Sequence, residues 1–318
     1  MKNRILILIT SLVFASVDVH AQWYGRPGDW KKYRQEVFIM MGSSHFLGDL
    51  GGRDKKGTDF SPADLDFNMT RTAFGAGYRY QYRKWLNFSG VFNWSTLKGD
   101  DASTQDIYRN NRNLNFKNNI YELTPRVEIG YFETRLRNRY TIKRSLSQKK
   151  LRVNWSYFAY TGVSVFYHNP KGRDASGKYV KLHPLHTEGQ GLPGGPKQYK
   201  KVQVAIPLGA YIRGVINKKW TFGLDFCYRK LFTDYIDDVG SRYYDPVALA
   251  AAYGPKAVEM ADPNKGNIYG FSSPAADGTP AQRGDTNLDS YFTVQLTAGY
   301  ILYKKKKTSN KARLRSKF

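Results

Sequence analysis

Cysteine is almost absent from this sequence, and so are long apolar runs. Cys227 is the only cysteine among 318 residues, which excludes an intramolecular disulfide and a lipid-modified cysteine behind a leader. No stretch after residue 21 approaches the roughly 20 apolar residues that a transmembrane helix requires, and the mean hydropathy is -0.58. These features exclude a helical membrane protein. They do not exclude a β-barrel, because barrel strands are apolar on one face only.

Acidic residues are also scarce, at 26 against 50 lysines and arginines, which gives a net charge of +24. Such a balance usually indicates nucleic-acid binding. Residues 1–21 argue against that partner. Lys2 and Arg4 precede a short apolar core, and Val19-His20-Ala21 forms a small-residue cleavage site, the pattern of a secretory signal peptide. The sequence therefore predicts an exported protein with no nucleic-acid partner.

Residues suited to catalysis are few. The histidines after residue 21 are His45, His168, His183 and His186. His183 and His186 are spaced to share a metal, but no third ligand is apparent. A calcium site at Asp234, Asp237 and Asp238 is the weaker alternative to ordinary hydrogen bonds within a turn. No Ser-His-Asp spacing, phosphate-binding glycine loop or dinucleotide fingerprint is present. We predict no enzymatic activity, no cofactor and no metal.

The sequence is rich in segments with a period of two. In residues 290–302 one face carries Phe292, Val294, Leu296, Ala298, Tyr300 and Leu302, and the other is mostly small or polar. That length matches the roughly 9–11 residues of a transmembrane strand. Similar segments occupy residues 36–46, 71–82, 86–96, 119–132, 154–167, 199–213 and 220–230. The predicted fold is all-β, an eight-stranded antiparallel transmembrane outer-membrane β-barrel with long extracellular loops.

The connections between these segments alternate in length. Those after the second and sixth segments contain a few residues, whereas those after the first, third, fifth and seventh are long. Outer-membrane barrels have short periplasmic turns and long outer loops, and an even strand number places both termini in the periplasm. The predicted organisation is a signal peptide (1–21), a periplasmic lead-in (22–35), the barrel (36–302) and a basic periplasmic tail (303–318). One short helix is predicted after Asp245, beginning at Pro246 and ending before Gly254.

A ring of eight strands leaves room inside for side chains but not for an aqueous pore. Seven charged residues are predicted to face the interior: Arg79, Glu122, Arg126, Glu128, Arg213, Asp225 and Arg229. We expect them to form ion pairs across the lumen, because an unpaired buried charge costs several kcal/mol. A conducting path is the alternative.

Two basic segments without acidic residues are predicted to face the periplasm. They contain Arg135, Arg137, Arg139, Lys143, Arg144, Lys149, Lys150 and Arg152, and the tail residues Lys304, Lys305, Lys306 and Lys307. We call these twelve residues the basic collar. Such a surface is suited to an acidic protein or to anionic headgroups. The alternative is a solvated rim that binds nothing specific.

Several loop motifs resemble a known family. They include Phe46-Leu47-Gly48-Asp49-Leu50-Gly51-Gly52, Gly99-Asp100-Asp101, Pro184-Leu185-His186-Thr187-Glu188-Gly189-Gln190-Gly191 and Phe232-Thr233-Asp234-Tyr235-Ile236-Asp237-Asp238-Val239. In order and spacing the sequence resembles the PorG family, a component of the type IX secretion system of Bacteroidota. The resemblance covers nearly all of the chain after the leader. The loop residues singled out are Asp49, Asp100, Asp101, Glu188, Asp234, Asp237 and Asp238.

The resemblance implies an outer-membrane barrel without enzymatic activity. It also implies association with the periplasmic ring of a PorK-type lipoprotein and its partner PorN (GldK and GldN in gliding species), and a role in protein export and, in some species, gliding motility. The loop carboxylates are expected to bond backbone N–H groups and hold the loops as a lid, with contact to lipopolysaccharide or a partner as the alternative. A small passive porin-like or envelope-stabilising barrel is the alternative function. A barrel enzyme that depends on His183 or His186 is a third class.

Overall fold

The fold was determined from a computed structural model. It describes residues 31, 33–48, 50, 69–104, 106–132, 153–216, 219–266, 281–284 and 288–302. The predicted signal peptide, most of the lead-in, the whole basic collar and Asp49 lie outside the described residues.

Strands dominate the described part of the chain. They are β1 (Gln35–Leu47), β2 (Arg71–Gln81), β3 (Leu86–Asp100), β4 (Asn115–Phe132), β5 (Asn154–Gly162), β6 (Ser164–Tyr167), β7 (Lys171–Arg173), β8 (Tyr179–Lys181), β9 (Val202–Ile216), β10 (Trp220–Leu231) and β11 (Ser290–Leu302). The helices are α1 (Ile107–Arg112), α2 (Pro246–Tyr253) and α3 (Pro255–Ala261). Among the residues placed by the structure, no helix has the length and apolar character to cross a membrane.

The long strands close into a ring. β1 pairs with β2 on one side and with β11 on the other, so that Gln35 lies opposite both Tyr80 and Leu302. The path continues through β3, β4, the β5–β6 wall segment, β9 and β10 back to β11, and every pairing is antiparallel. β5 and β6 together occupy one position, so the ring has eight members. The predicted all-β fold with eight antiparallel strands is confirmed.

Side chains alternate across the wall as the sequence period predicts. On β11, Leu296 is 63% exposed, whereas Thr293 and Gln295 are fully buried. On β1, Ile39 is 65% exposed and Met40 points inward. Apolar residues therefore cover the outside of the ring, and the buried inside holds the polar and charged strand residues together with some apolar ones such as Met40.

Exposed aromatic side chains form two girdles around this apolar exterior. Near the short turns they include Tyr82, Trp85, Tyr131, Trp155 and Trp220, and near the long loops Tyr121, Tyr167 and Phe226, with the half-buried Trp94 beside them. On β10, Trp220 and the half-buried Tyr228, which lies two positions beyond the girdle residue Phe226 on the same face, are eight positions apart. At about 3.3 Å per residue and a tilt of about 40°, this separation is about 20 Å along the barrel axis. The apolar band between the two girdles therefore has the height of a thin hydrocarbon layer.

The fifth predicted strand, residues 154–167, is interrupted at Val163, which corrects the sequence prediction. The register is the same on both sides of the gap. Continued through it, that register places Val163 opposite Pro125 and Gly162 opposite Pro207. The backbone N–H of Gly130 donates to the carbonyl oxygen of Trp85, just before β3, and the backbone N–H of His168 donates to the carbonyl oxygen of Lys201, just before β9. By alternation along each strand, the nitrogens of Pro125 and Pro207 therefore both face the β5–β6 segment. Proline has no N–H to donate, and the ladder is therefore broken on both sides of one strand.

Other boundaries also differ from those predicted. β3 continues to Asp100 and β4 already begins at Asn115, so both strands extend beyond the ring. β9 begins at Val202 rather than residue 199 and ends at Ile216. The β7–β8 hairpin and helices α1 and α3 were not predicted. The helix after Asp245 is confirmed, since that side chain accepts from the N–H groups of Val247 and Ala248.

Candidate functional site in the lumen and the loop lid

The lumen near the short turns is crossed by a network around Glu36. Its carboxylate accepts from the guanidinium of Arg79 at 3.0 Å and from the hydroxyl of Thr221 at 2.6 Å. Arg213 forms a second ion pair with the same carboxylate. These residues belong to β1, β2, β9 and β10, so one carboxylate connects opposite walls of the ring.

Glu128 forms the second centre of this network. It accepts from Arg79 Nε at 2.8 Å, from Ser89 Oγ at 2.5 Å and from the Tyr211 hydroxyl at 2.7 Å. The guanidinium of Arg79 lies 4.4 Å from the ring centroids of both Phe38 and Tyr211. Arg79 is therefore held between two aromatic faces as well as between two carboxylates, an arrangement suited to a planar cation.

Two further pairs lie closer to the long loops. Arg126 contacts Asp225 at 3.5 Å, and the Tyr160 hydroxyl donates to Asp225 at 2.7 Å. Glu122 accepts from Arg229 Nε at 2.5 Å and from the Tyr291 hydroxyl at 2.8 Å. Arg229 and Glu122 are each less than 2% exposed, so this pair has almost no contact with solvent.

The structure places all seven predicted interior charges inside the ring, where each joins an ion pair with another interior side chain. Glu36 was missed by the sequence prediction. Its signal was the alternation of β1, which puts Glu36 on the same face as Phe38 and Met40. With Glu36 included, four carboxylates oppose four guanidinium groups in the described strands, and the interior charges balance.

An apolar plug lies beyond the charged levels, toward the long loops. It is formed by Phe46, Leu50, Leu97, Leu114, Phe116, Ile120, Phe166, Ala205, Leu231, Ile236, Val239 and Tyr291. These side chains come from several ring strands and from the loops, so the loops are packed into the mouth of the barrel. The lumen is filled by paired charges along the strands and by apolar side chains at the mouth.

We use the term loop lid for the described residues between β3 and β4, between β6 and β9, and between β10 and β11. Glu188 is its most heavily bonded residue. Its carboxylate accepts from Gly240 N at 3.0 Å, from Ser241 Oγ at 2.5 Å and from Arg283 at 3.0 Å. Glu188 and Arg283 are 1% and 2% exposed. The buried carboxylate of Glu188 thus connects the loop before β9 to both ends of the loop before β11, by hydrogen bonds at one end and by an ion pair at the other.

Asp238 lies beside this pair. Its two carboxylate oxygens accept from the Thr187 and Tyr199 hydroxyls, each at 2.6 Å. Burial is the largest influence and raises the pKa of Asp238 to about 6, although Arg283 acts in the opposite direction. Gly189 has a φ of +67°, a left-handed conformation that favours glycine. That turn positions Thr187 and Glu188 against the Asp238 loop.

The remaining predicted loop carboxylates also bond within the lid. Asp101 accepts from Arg112 Nε at 2.7 Å, and burial raises the pKa of Asp101 despite that neighbour. Asp100 accepts from Ala102 N at 3.2 Å, and Asp237 from Val239 N at 3.0 Å. Asp234 is half-buried in the same loop. Five of the predicted carboxylates therefore bond partners inside the lid.

The two loop histidines make structural contacts. His183 Nε2 lies 3.1 Å from the carbonyl oxygen of Tyr199. His186 Nδ1 lies 2.7 Å from the carbonyl oxygen of Gln190, and its ring stacks on Tyr253 at 4.2 Å. Within the described ranges, no three or more histidine, cysteine or acidic side chains gather as a metal site. Asp237 and Asp238 accept hydrogen bonds from Val239 N and from the Thr187 and Tyr199 hydroxyls.

Together these residues define a closed antiparallel β-barrel with an apolar exterior, an ion-paired lumen and a loop lid locked by buried carboxylates. Residues 29–181, just under half of the chain, match the family described as "Domain of unknown function (DUF6089)". A search of curated proteins found no match.

Solved structures give distant likenesses. The attachment invasion locus protein Ail of Yersinia pestis, in complex with a heparin analogue, shares 10% identity over 84% of this chain and 98% of its own, with a TM-score of 0.35. Neisserial surface protein A shares 6% identity over 85% and 97%, with a TM-score of 0.34. The outer membrane protein OprG of Pseudomonas aeruginosa shares 8% identity over 86% and 98%, with a TM-score of 0.33.

Proposed function

We propose that this protein is an integral outer-membrane barrel that acts as a non-enzymatic component of a type IX secretion system. In this role it holds a periplasmic ring of the PorK/PorN type at the membrane and so supports protein export and, in gliding species, motility. The apolar band between two aromatic girdles supports membrane insertion. The loop motifs that resemble the PorG family support the secretion role.

The filled lumen is the observation that carries the proposal of a structural role. Arg79, Glu128 and Arg229 are each at most 5% exposed and lie inside a ring that has no space for a wide channel. The loops are packed into the mouth above them. A barrel with this interior offers its wall and its rims, rather than its lumen, for function.

The proposed orientation places the short turns and both termini in the periplasm. At that end the described charged residues outside the lumen are Lys31, Arg34, Arg83, Lys84 and Lys219, all of them basic. In the sequence, the two segments of the predicted basic collar follow β4 and β11, two strands whose last residues lie at this end of the barrel. A positive periplasmic rim favours association with an acidic surface of a ring protein.

Planar-bilayer recording separates this proposal from the passive porin. Purified full-length protein should insert from detergent and remain electrically silent, because ion pairs and apolar side chains fill the lumen. A stable open-channel conductance would support the porin and contradict the anchor. A processed chain that remains monomeric and folded without detergent would contradict membrane insertion itself.

Co-purification from the native envelope tests the partner. We expect Arg135→Gln/Arg137→Gln/Arg139→Gln to reduce recovery of the PorK/PorN-type ring while the barrel still inserts. The matched control is Lys178→Gln/Lys197→Gln/Lys200→Gln, which removes the same charge from exposed positions of the loop lid. Equal recovery with both triple variants would remove the docking role of the collar.

A further inference from the structure

Four lysines on four neighbouring strands lie directly opposite one another. Lys98 on β3 opposes Lys117 on β4, Lys117 opposes Lys171 on β7, and Lys171 opposes Lys181 on β8. Directly opposed residues of antiparallel strands point to the same face, and neighbouring strands are about 4.8 Å apart. These four residues, here the lysine row, therefore form one cationic surface about 14 Å wide.

The lysine row lies on the outer face of the wall, above the girdle near the long loops. Lys117 and Tyr121 share a face of β4, and Lys98 and Trp94 share a face of β3, because each pair is four positions apart. Four residues correspond to about 13 Å along a strand and about 10 Å along the barrel axis. If the girdle marks the hydrocarbon boundary, the row lies at the level of the lipid headgroups.

One carboxylate and one aromatic ring offset part of this charge, the ring being that of Tyr179, whose centroid lies 5.7 Å from Lys117 Nζ. Lys98 contacts Asp100 at 3.3 Å, but in the part of the chain that the structure describes no carboxylate pairs with Lys117, Lys171 or Lys181. The exposed side chain of Arg173, next to the row on β7, contacts the same Asp100 carboxylate at 3.8 Å, so one carboxylate is shared by two cations. Like charges directly opposed on a sheet are destabilising. An anion from the surroundings would relieve that repulsion.

We propose that the lysine row binds the phosphate groups of an outer-leaflet glycolipid of the lipopolysaccharide type. This inference rests on the proposed outer-membrane location and adds to it a binding surface for lipid. Ammonium groups bind phosphate as point charges, and basic surfaces beside the membrane boundary recognise anionic headgroups. The 14 Å width allows contact with more than one phosphate of a headgroup, while Trp94, Tyr121 and Tyr167 contact the boundary below it.

The test uses full-length protein in detergent micelles titrated with diphosphoryl lipid A or with its dephosphorylated form, with retention read by native mass spectrometry. Lys117→Gln/Lys171→Gln should weaken retention of the phosphorylated lipid by roughly tenfold to thirtyfold. Retention of the dephosphorylated lipid should not change. The charge-preserving Lys117→Arg/Lys171→Arg and the matched control Lys197→Gln/Lys200→Gln should both behave as wild type.

A stability measurement supplies a second readout with the opposite sign. In lipid-free micelles the Lys117→Gln/Lys171→Gln variant should unfold at the same temperature as wild type or a higher one, because repulsion is removed. Diphosphoryl lipid A should raise the unfolding temperature of wild type but not of this variant, and inorganic phosphate at equal concentration should raise neither.

Equal retention by the glutamine variant and its control, or retention independent of the lipid phosphates, would overturn the inference. An equal effect of inorganic phosphate would also overturn it, since the surface would then be a site for free anions. None of these results would alter detergent-dependent insertion or ring capture, so failure here is distinct from failure of the proposed function.

Discussion

The hydroxyl of Thr187 donates to the carboxylate of Asp238 at 2.6 Å, across 51 positions of the chain. This bond joins the two most distinctive loop motifs of the sequence. Thr187→Val should leave one oxygen of a buried carboxylate without its donor and weaken the lid by about 1–3 kcal/mol. Hydrogen exchange should accelerate in residues 187–200 and 233–241 but not in the ring strands. The conservative Thr187→Ser should behave as wild type, and unchanged exchange in the valine variant would show that the bond does not hold the lid.

The lid should become less stable as the pH rises through about 6. Burial raises the pKa of Asp238 to about 6 from a usual 3.8, in a setting shared with Arg283, Glu188, Thr187 and Tyr199. The closed lid therefore binds this proton more tightly than an open one. That contribution is complete below a pH of about 4 and lost above about 6.

Protection factors of lid amides, corrected for the intrinsic exchange rate, should fall between pH 4.5 and 7 and then level off. Asp238→Asn should flatten this profile, because the residue that takes up the proton is gone. Asp245→Asn is the matched control, since it replaces an exposed carboxylate that caps α2 on the same lid. A profile that rises over this interval would contradict the assignment.

Replacing one residue of the buried Glu122–Arg229 pair should cost much more unfolding free energy per residue than replacing both. Arg229→Met leaves a buried carboxylate without its cation and should cost about 3–5 kcal/mol in unfolding free energy. Glu122→Gln should have a similar cost, and the double variant should lose much less than the sum. Lys230→Met removes the same charge from the next, exposed position. Urea unfolding in micelles measures all four, and additive losses would show that the two residues are not coupled.

The interruption at Val163 should be repaired by a single substitution. Pro125→Val supplies an N–H on the side of β4 that faces the β5–β6 segment and should add about 1 kcal/mol of local stability. Hydrogen exchange in residues 161–166 should slow as a result. Leu123→Val is the matched control, because it introduces the same side chain on the same outer face without a new donor. Equal exchange in both variants would contradict the proline explanation.

The ring was predictable from the sequence because its strands have one apolar and one polar face, as residues 290–302 show. The break at Val163 was not, because it depends on prolines in two other strands that meet there only through the register. The lid carboxylates were visible as motifs, but their partners were not. Glu188 bonds Gly240 and Arg283, and no local pattern connects positions so distant. The resemblance to the PorG family remains a prediction.

Glu36 also constrains the order of events during assembly. It belongs to the first strand, yet its partner Arg213 is 177 positions further along the chain and Thr221 is further still. Until β9 and β10 arrive, this carboxylate must stay hydrated, since a lone ion in a dry interior would be too costly. Wall closure and expulsion of internal water are therefore late and coupled steps. A nascent chain held open at the β1–β11 seam would be a wet, incomplete cylinder until its last hairpin joins.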